Sequence, residues 1–438
     1  MPRVLLITFC YPPTEVIGAV RPAALAKYLP RFGWDAVVLT PRVRQPRLDS
    51  RIIETDYRDV ISGWKARLGL DHKRSVHEQL RLPISSKPGA GFLHSRALEI
   101  GKYVVSYPDA TKGWTPFAVQ AIQAIREQGQ KIDAIITTSP PISTHLIGNQ
   151  AKSILCCPWI ADLRDLWTQN FASSNRLLNR LQAGLEKRTL RAADALVTVS
   201  APWAARLREK YSSQTVATIT NGFDPDDFAD IPKRLTEKFT ITYAGRLYQG
   251  GRNPKVLFEV LRDLLDENMV SPKDTRVRFY GEVEPWLSAL VQQYRLEEVV
   301  ELCGLVTRHE SLQRQAESQV LLLLGWADPR ETGQHSGKLF EYFGAARPIL
   351  AIGGGRGVLT EALEETHAGV HALAKEQVRD FLITAYGEFK AQGCVSYKGK
   401  ESAIDRYTHL RMAREFADVL NAVAHRPQPS EMAAKASL

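Results

Sequence analysis

The chain has 438 residues, 44% apolar and 24% charged, and its 57 Lys and Arg exceed its 48 Asp and Glu to give a formal charge of +9. These figures exclude a disordered or fibrous chain, leave room for two or three domains with real cores, and favour anionic partners. Five cysteines without a CxxC pair exclude a disulfide framework or zinc ribbon, and no window approaches the roughly 18 apolar residues of a spanning helix, so a cytoplasmic chain is expected, at most peripheral at the inner face of a membrane.

Short apolar runs read as buried strands at 4–9, 36–40, 134–138, 159–161, 195–199 and 217–220. Helical patterns fill the gaps at 21–32, 114–128 and 177–192. Such alternation is what a parallel sheet covered by helices on both faces requires. A polar stretch with two prolines, 224–238, reads as a linker. A second series follows, with strands at 239–244, 277–280, 299–302, 320–324 and 348–352 and helices at 254–266, 286–294 and 338–346. A helical tail comes after residue 374, with one long amphipathic element at 407–424. The fold class is therefore α/β, two doubly wound Rossmann-like domains facing a central cleft, with a C-terminal helical tail. The boundaries expected are 1–230, 231–400 and 401–438. Open sheets of this kind bind ligands beyond the carboxyl ends of their strands.

Within the first domain, 41–115 reads as a basic insertion. Residues 41–103 alone carry thirteen Lys/Arg against seven Asp/Glu, with Trp64, Phe92 and Leu93 among them. An acceptor-binding or anionic-membrane-facing insertion and a merely solvated one fit this equally. No nucleic-acid-binding motif accompanies the charge, so nucleic acid is not an expected partner.

Three places carry chemistry. The first strand leads into a long loop with Gly18 just before a helix, a place where free N–H groups suit an anion, and lacks the GxGxxG of a dinucleotide site. The second domain opens with a strand, then Gly245-Arg246, a Gly250-Gly251 turn, Arg252 and a helix opened by Pro254. Two guanidinium groups there suit a diphosphate, since each presents paired donors to phosphate oxygens. Ser336-Gly337-Lys338 then stands where another helix starts, and Glu341 follows one turn on. A carboxylate cannot hold phosphate but can accept two hydrogen bonds from vicinal ribose hydroxyls, so donors followed by Glu341 form a nucleotide grip. Two further runs are discounted. Asp224-Pro225-Asp226-Asp227 has DxD spacing but reads as a turn and cap. Gly353-Gly354-Gly355-Arg356-Gly357 fits an anion-binding nest or a flexible turn equally.

Gly245-Arg246, Ser336-Gly337-Lys338-Leu339-Phe340-Glu341-Tyr342 and Gly344 with Arg347-Pro348-Ile349-Leu350-Ala351 resemble the donor half of GT-B glycosyltransferases, in particular the retaining family-4 group. Asn221-Gly222-Phe223-Asp224 is similar to the turn that closes that family's first domain, Val197–Ser200 to the strand and serine before it, and Gly18 to its N-terminal glycine loop. The resemblance implies Arg246 on the donor diphosphate, Glu341 on the ribose, and retention of anomeric configuration. It departs in two places. The family's lysine after the arginine is missing, the nearest cation being Arg252, and its upstream glutamate falls on Gly333, with Glu331 out of register. The family's strand-end histidine aligns with Arg164, placing Asp162 two residues earlier and Asp165 one later. These three are candidate catalytic residues, and a structural Asp–Arg brace is the equal alternative. Ser139 and His145, at the neighbouring strand end, are candidate acceptor contacts.

The expected activity is transfer of a sugar from a nucleotide diphosphate donor to a hydroxyl of a carbohydrate, lipid-linked or small-molecule acceptor, with neither cofactor nor metal, in cell-envelope or polysaccharide biosynthesis. An epimerase or phosphorylase of the same fold, and a non-catalytic nucleotide- or glycan-binding relative, remain alternatives.

Overall fold

The computed structural model describes residues 1–43, 49–67, 105–169, 176–232, 234–326, 328 and 331–424. The basic region at 68–104, with Phe92 and Leu93, lies outside the described residues, as does the side chain of Trp64. The chain divides into two compact units, one of Met1–Thr198, Ala204–Thr218 and the residues from Arg414 on, the other of Val199–Trp203 and Ile219–Ala413.

The first unit contains a seven-stranded sheet of β1 (Arg3–Ile7), β2 (Asp35–Pro41), β3 (Ile52–Thr55), β4 (Ala134–Ser139), β5 (Trp159–Leu163), β6 (Ala195–Thr198) and β7 (Thr215–Thr218). Their order is β3-β2-β1-β4-β5-β6-β7 and every pairing is parallel. Helices α1 (Ile17–Tyr28), α2 (Val60–Arg67), α3 (Thr115–Glu127), α4 (Ser143–Leu155), α5 (Arg176–Leu190) and α6 (Ala201–Lys210) follow along this part of the chain. β4 and β5 are buried at every residue, as central parallel strands must be. The order reverses between β1 and β4, so the loops after these strands border the crevice such sheets use for ligands.

The second unit repeats the plan with β8 (Phe239–Ala244), β9 (Thr275–Tyr280), β10 (Val300–Gly304), β11 (Val320–Leu324), β12 (Ile349–Ile352) and β13 (Gly369–Ala372), in the order β10-β9-β8-β11-β12-β13. Its helices are α7 (Lys255–Asp266), α8 (Pro285–Gln293), α9 (Arg308–Ala316), α10 (Gly337–Ala345), α11 (Val358–Thr366), α12 (Lys375–Gln392) and α13 (Glu401–Ile404), and α14 (His409–Ala424) closes the described chain. Alternate residues of one strand serve opposite cores: Leu322 and Leu324 pack with α7 and α12, Leu321 and Leu323 with Leu339, Phe340 and Phe343 of α10. Period-two alternation with both faces apolar is why these strands read as unbroken hydrophobic runs. Tyr342 locks α10 to the sheet, its hydroxyl donating to Leu322 O at 2.9 Å and accepting from Ala244 N–H at 3.4 Å.

The sequence expectation for fold class holds: two parallel α/β sheets and a C-terminal helix. Strands 239–244 and 320–324 are observed as expected, whereas β3 and β13 had no expectation. Among the described residues, no helix is long and apolar enough to cross a membrane.

Candidate functional site

Residues singled out in the first unit gather at the ends of β4 and β5, where their polar groups are consumed by one another. Asp162 is completely buried. Its Oδ2 accepts from Arg21 Nε at 3.0 Å and Thr138 Oγ1 at 2.8 Å, and its Oδ1 from Arg21 Nη2 at 2.9 Å. Arg21 is 3% exposed and also lies 5.0 Å beneath the Phe416 ring. Arg164 donates to three backbone carbonyls, Ser139 at 3.0 Å and Gly18 and Pro140 at 2.7 Å each. Burial holds its pKa below the usual arginine value. His145 is buried with both ring nitrogens bonded, Nδ1 to Thr137 Oγ1 at 2.7 Å and Nε2 to Ser139 Oγ at 2.8 Å, and burial pushes its pKa down to about 3.

These placements favour a structural role, though not through the expected partner: Asp162 pairs with Arg21, while Arg164 braces backbone carbonyls. A carboxylate with both oxygens bonded and no exposed surface has no face for a sugar cation or a migrating proton, so the catalytic expectation for Asp162 does not fit. Arg164 serves the backbone around Gly18, whose carbonyl it holds, and a phosphate contact there would compete with three existing bonds. Ser139 and His145 are sealed against each other and touch no open surface, which removes the acceptor-contact expectation. Asp165 lies half-buried on the following loop, near enough to Arg164 to favour its charge. That loop is staked down by Trp167 Nε1 to Gln182 Oε1 at 2.8 Å and by Thr168 Oγ1 to the buried Glu186. Arg21, which closes the brace, was missed: an arginine four residues inside a helix reads as surface charge.

The second unit contrasts with this. Gly245 follows β8 with φ +124°, in the region that favours glycine, and a Cβ there would lie 2.4 Å from Lys338 Cε and 2.6 Å from Nζ. Lys338 therefore enters from the start of α10 into space that only a glycine leaves. Its ammonium stands 5.0 Å over the Tyr243 ring, and among the described residues no carboxylate lies within ion-pairing distance of it. Burial, reinforced by the positive charge of Arg252, pulls its pKa down to about 7. Arg252 lies 5.9 Å over both Tyr248 and Trp326, and its Nε is buried without a hydrogen-bond partner among the described residues. Arg246 is more exposed, 3.7 Å from Glu282 and 5.4 Å over Tyr248. Ser336 caps α10 by position alone, with no side-chain bond to its first turn, and Gly337 opens the helix. Uncapped N–H groups beside the half-buried cations of Lys338 and Arg252 form an arrangement whose chemistry suits an anion.

Glu341 lies one turn further along α10. Burial raises its pKa, opposed first by Arg308, 3.9 Å from Oε1, and then by Gln315, whose Nε2 donates to Oε2 at 3.4 Å. Arg308 is held by Asp227, Nη2 to Oδ2 at 2.8 Å. The DxD-like run thus serves as a turn and anchor, Asp224 accepting from Asp226 N–H at 3.1 Å. Arg308 and Gln315 were missed because an i,i+7 pair on a polar helix carries no motif.

The missing upstream glutamate also has a physical explanation. A Cβ at Gly333 would come within 2.4 Å of Trp203 Cδ1, so Trp203 occupies the side-chain space there. Glu331 does not replace that glutamate: its Oε1 accepts from Trp203 Nε1 at 3.0 Å and Gly333 N–H at 3.2 Å, tying down the loop before α10. Arg252, Trp326, Glu331, Ser336 and the Gly353–Gly355 turn line one recess beyond β11 and β12.

Residues 18–222 match a family described as a glycosyl transferase 4-like domain. No curated protein sequence matches the chain. Among solved structures, Anabaena Alr3699/HepE in complex with UDP and glucose superposes with a TM-score of 0.60 at 13% identity, covering 96% of this chain and all of that one. Sucrose-phosphate synthase (tll1590) from Thermosynechococcus elongatus gives 0.56 at 16%, covering 97% and 96%. A glycosyltransferase from Rickettsia africae gives 0.57 at 12%, covering 97% and 99%. At these identities the likeness is one of fold. The fold is therefore the one these solved glycosyltransferases share, and residues 18–222 carry the match to the glycosyl transferase 4-like domain.

Proposed function

We propose that this glycosyltransferase moves a sugar from a nucleoside diphosphate sugar to an acceptor hydroxyl, with the donor held by the second unit. The observation that carries the reading is Lys338, a half-buried ammonium beside Arg252 and the open start of α10, influenced by Glu341 but with no carboxylate in ion-pairing distance among the described residues. A diphosphate entering there meets Lys338, Arg252 and the N–H groups of Gly337 and Lys338, with Arg246 on the adjoining loop. As the glycosidic bond breaks, negative charge builds on the leaving diphosphate, and fixed cations with preoriented amides stabilise it without reorganisation. Those cations supply the charge a divalent ion would otherwise provide, so the reaction is metal-independent in this reading. Glu341 accepts from the ribose hydroxyls. HepE, a fold neighbour, has been solved with UDP-glucose, which makes a uridine donor the first to try.

Retention of configuration, and an acceptor in cell-envelope or polysaccharide synthesis, complete the proposal on the strength of the family-4 resemblance. Asp162, Arg164, His145 and Ser139 frame the first unit and do not take part in bond making.

The test is incubation with labelled nucleotide sugars, with and without candidate acceptors, followed by separation of products. Release of nucleoside diphosphate, slow alone and accelerated by an acceptor that gains the label, supports transfer. An isomerised sugar still bonded to its nucleotide, or sugar phosphate formed only with orthophosphate, contradicts it.

A further inference from the structure

The Glu341 carboxylate is built into a relay that the donor-site reading does not require. Arg308 is the first residue of α9, where Thr307 caps the helix by accepting from Glu310 N–H at 3.2 Å. Its guanidinium bonds Asp227 of the short turn Pro225–Phe228 and reaches to 3.9 Å from Glu341 Oε1. Gln315, two turns along the same helix and completely buried, donates to the other oxygen. Two atoms of this cluster, Arg308 Nε and Gln315 Oε1, are buried with no hydrogen-bond partner among the described residues. A cluster with unspent donors and acceptors around a carboxylate is incomplete as a purely structural brace, because unmade buried bonds cost free energy.

We propose that Arg308 is a positioning residue for the donor, fixing the Glu341 carboxylate for the ribose hydroxyls while Asp227 tethers Arg308 in turn. The inference rests on the reading of Glu341 as the ribose acceptor. Its chemistry is that of a cation slightly too far away for a direct hydrogen bond: close enough to favour the charged form of the carboxyl, distant enough to leave its oxygens open to hydroxyl donors. The groups facing Glu341 are Arg308 and Gln315 from α9, Lys338 from its own helix and Asp227 from the turn. Burial drives the carboxyl towards its neutral form, and Arg308 is the largest influence opposing it. Without Arg308 the carboxyl holds its proton to higher pH, and a neutral carboxyl is a poorer acceptor for two hydroxyls.

The experiment measures dissociation constants by calorimetry across pH for UDP, GDP and ADP, the tightest then being compared with its 2′-deoxy and 3′-deoxy analogues. Proteins compared are the wild type, Arg308→Leu, Arg308→Lys, Glu341→Gln and the double variant Arg308→Leu/Glu341→Gln, with thermal melts confirming folding. The acid limb of the binding profile, where affinity drops as pH falls, is expected to move up by about one unit in Arg308→Leu, and to stay near the wild-type position in Arg308→Lys, which keeps the cation. In the Glu341→Gln background, Arg308→Leu is expected to change affinity less than about twofold. If Arg308→Leu weakens binding by one factor at every pH, or does so equally when combined with Glu341→Gln, the positioning role is overturned while the ribose reading stands. If the wild type binds both deoxy analogues as tightly as the ribonucleotide, or binds none of the three diphosphates, the ribose reading itself fails and the proposal falls with it.

Discussion

The strand ends of the two sheets hold polar clusters of opposite character. At β4 and β5 these polar side chains have partners: Asp162 with Arg21, Arg164 with three carbonyls, His145 with two hydroxyls. At β8 and α10 the charges are partly desolvated and only partly satisfied: among the described residues Lys338 has no carboxylate in ion-pairing distance and Arg252 Nε no acceptor, and burial raises Glu341 towards its neutral form. In sequence the first reads as catalytic and the second as donor-binding, both from conspicuous polar residues near the ends of buried strands. Satisfaction separates them. A saturated cluster stores its free energy in the fold, and an unsaturated one releases it on meeting a ligand.

The contrast can be broken by substitution. The largest effect expected is on stability: Asp162→Ala strands Arg21 as a buried unpaired cation and costs about 3–5 kcal/mol, read as a large fall in melting temperature. A variant that melts like the wild type yet loses all turnover would restore Asp162 to the chemistry. Lys338→Met should do the reverse, weakening nucleoside diphosphate binding at least about tenfold, about 1.4 kcal/mol, while leaving the melting temperature equal or higher. Glu341→Ala is expected to raise donor KM or lower turnover by about tenfold, and unchanged kinetics would show that the carboxylate does not touch the donor.

A smaller effect sharpens the comparison through pH. The folded pKa of Lys338 is lowered to about 7, below its value in an unfolded chain, so the ammonium is charged below that pH and lost above it. Anion affinity should fall as pH rises through about 7, and binding near neutrality should take up a proton, visible as a calorimetric enthalpy that depends on the buffer. His145, held neutral, should contribute nothing to this profile. Smallest of all is the effect of EDTA: full activity is expected, and a complete loss reversed by added metal would overturn the scheme of fixed cations.

Much of the fold was legible because parallel strands buried on both faces leave near-continuous apolar runs, as 320–324 shows. β3 and β13 escaped because edge strands of four residues carry mixed polarity. In the candidate site, the placement of Ser336–Glu341 at a helix start was legible from its spacing. The roles of Arg21, Arg308, Gln315 and Trp203 were not, since each acts on a residue far along the chain and only folding brings them together. Lys338 was read as one of several cations, and burial, invisible in sequence, sets it apart. The same blindness made Asp162 and His145 look available.

The account's central claim is that the second unit grips a nucleoside diphosphate through Lys338 and its neighbours. The most direct measurement titrates UDP, GDP and ADP into the wild type and Lys338→Met by calorimetry at about pH 6.5 and about pH 8.5. The account predicts that at least one nucleotide binds the wild type more tightly at the lower pH, and that the variant binds it weakly and without that pH difference. Equal binding by both proteins, or no binding of any of the three to the wild type, would contradict it.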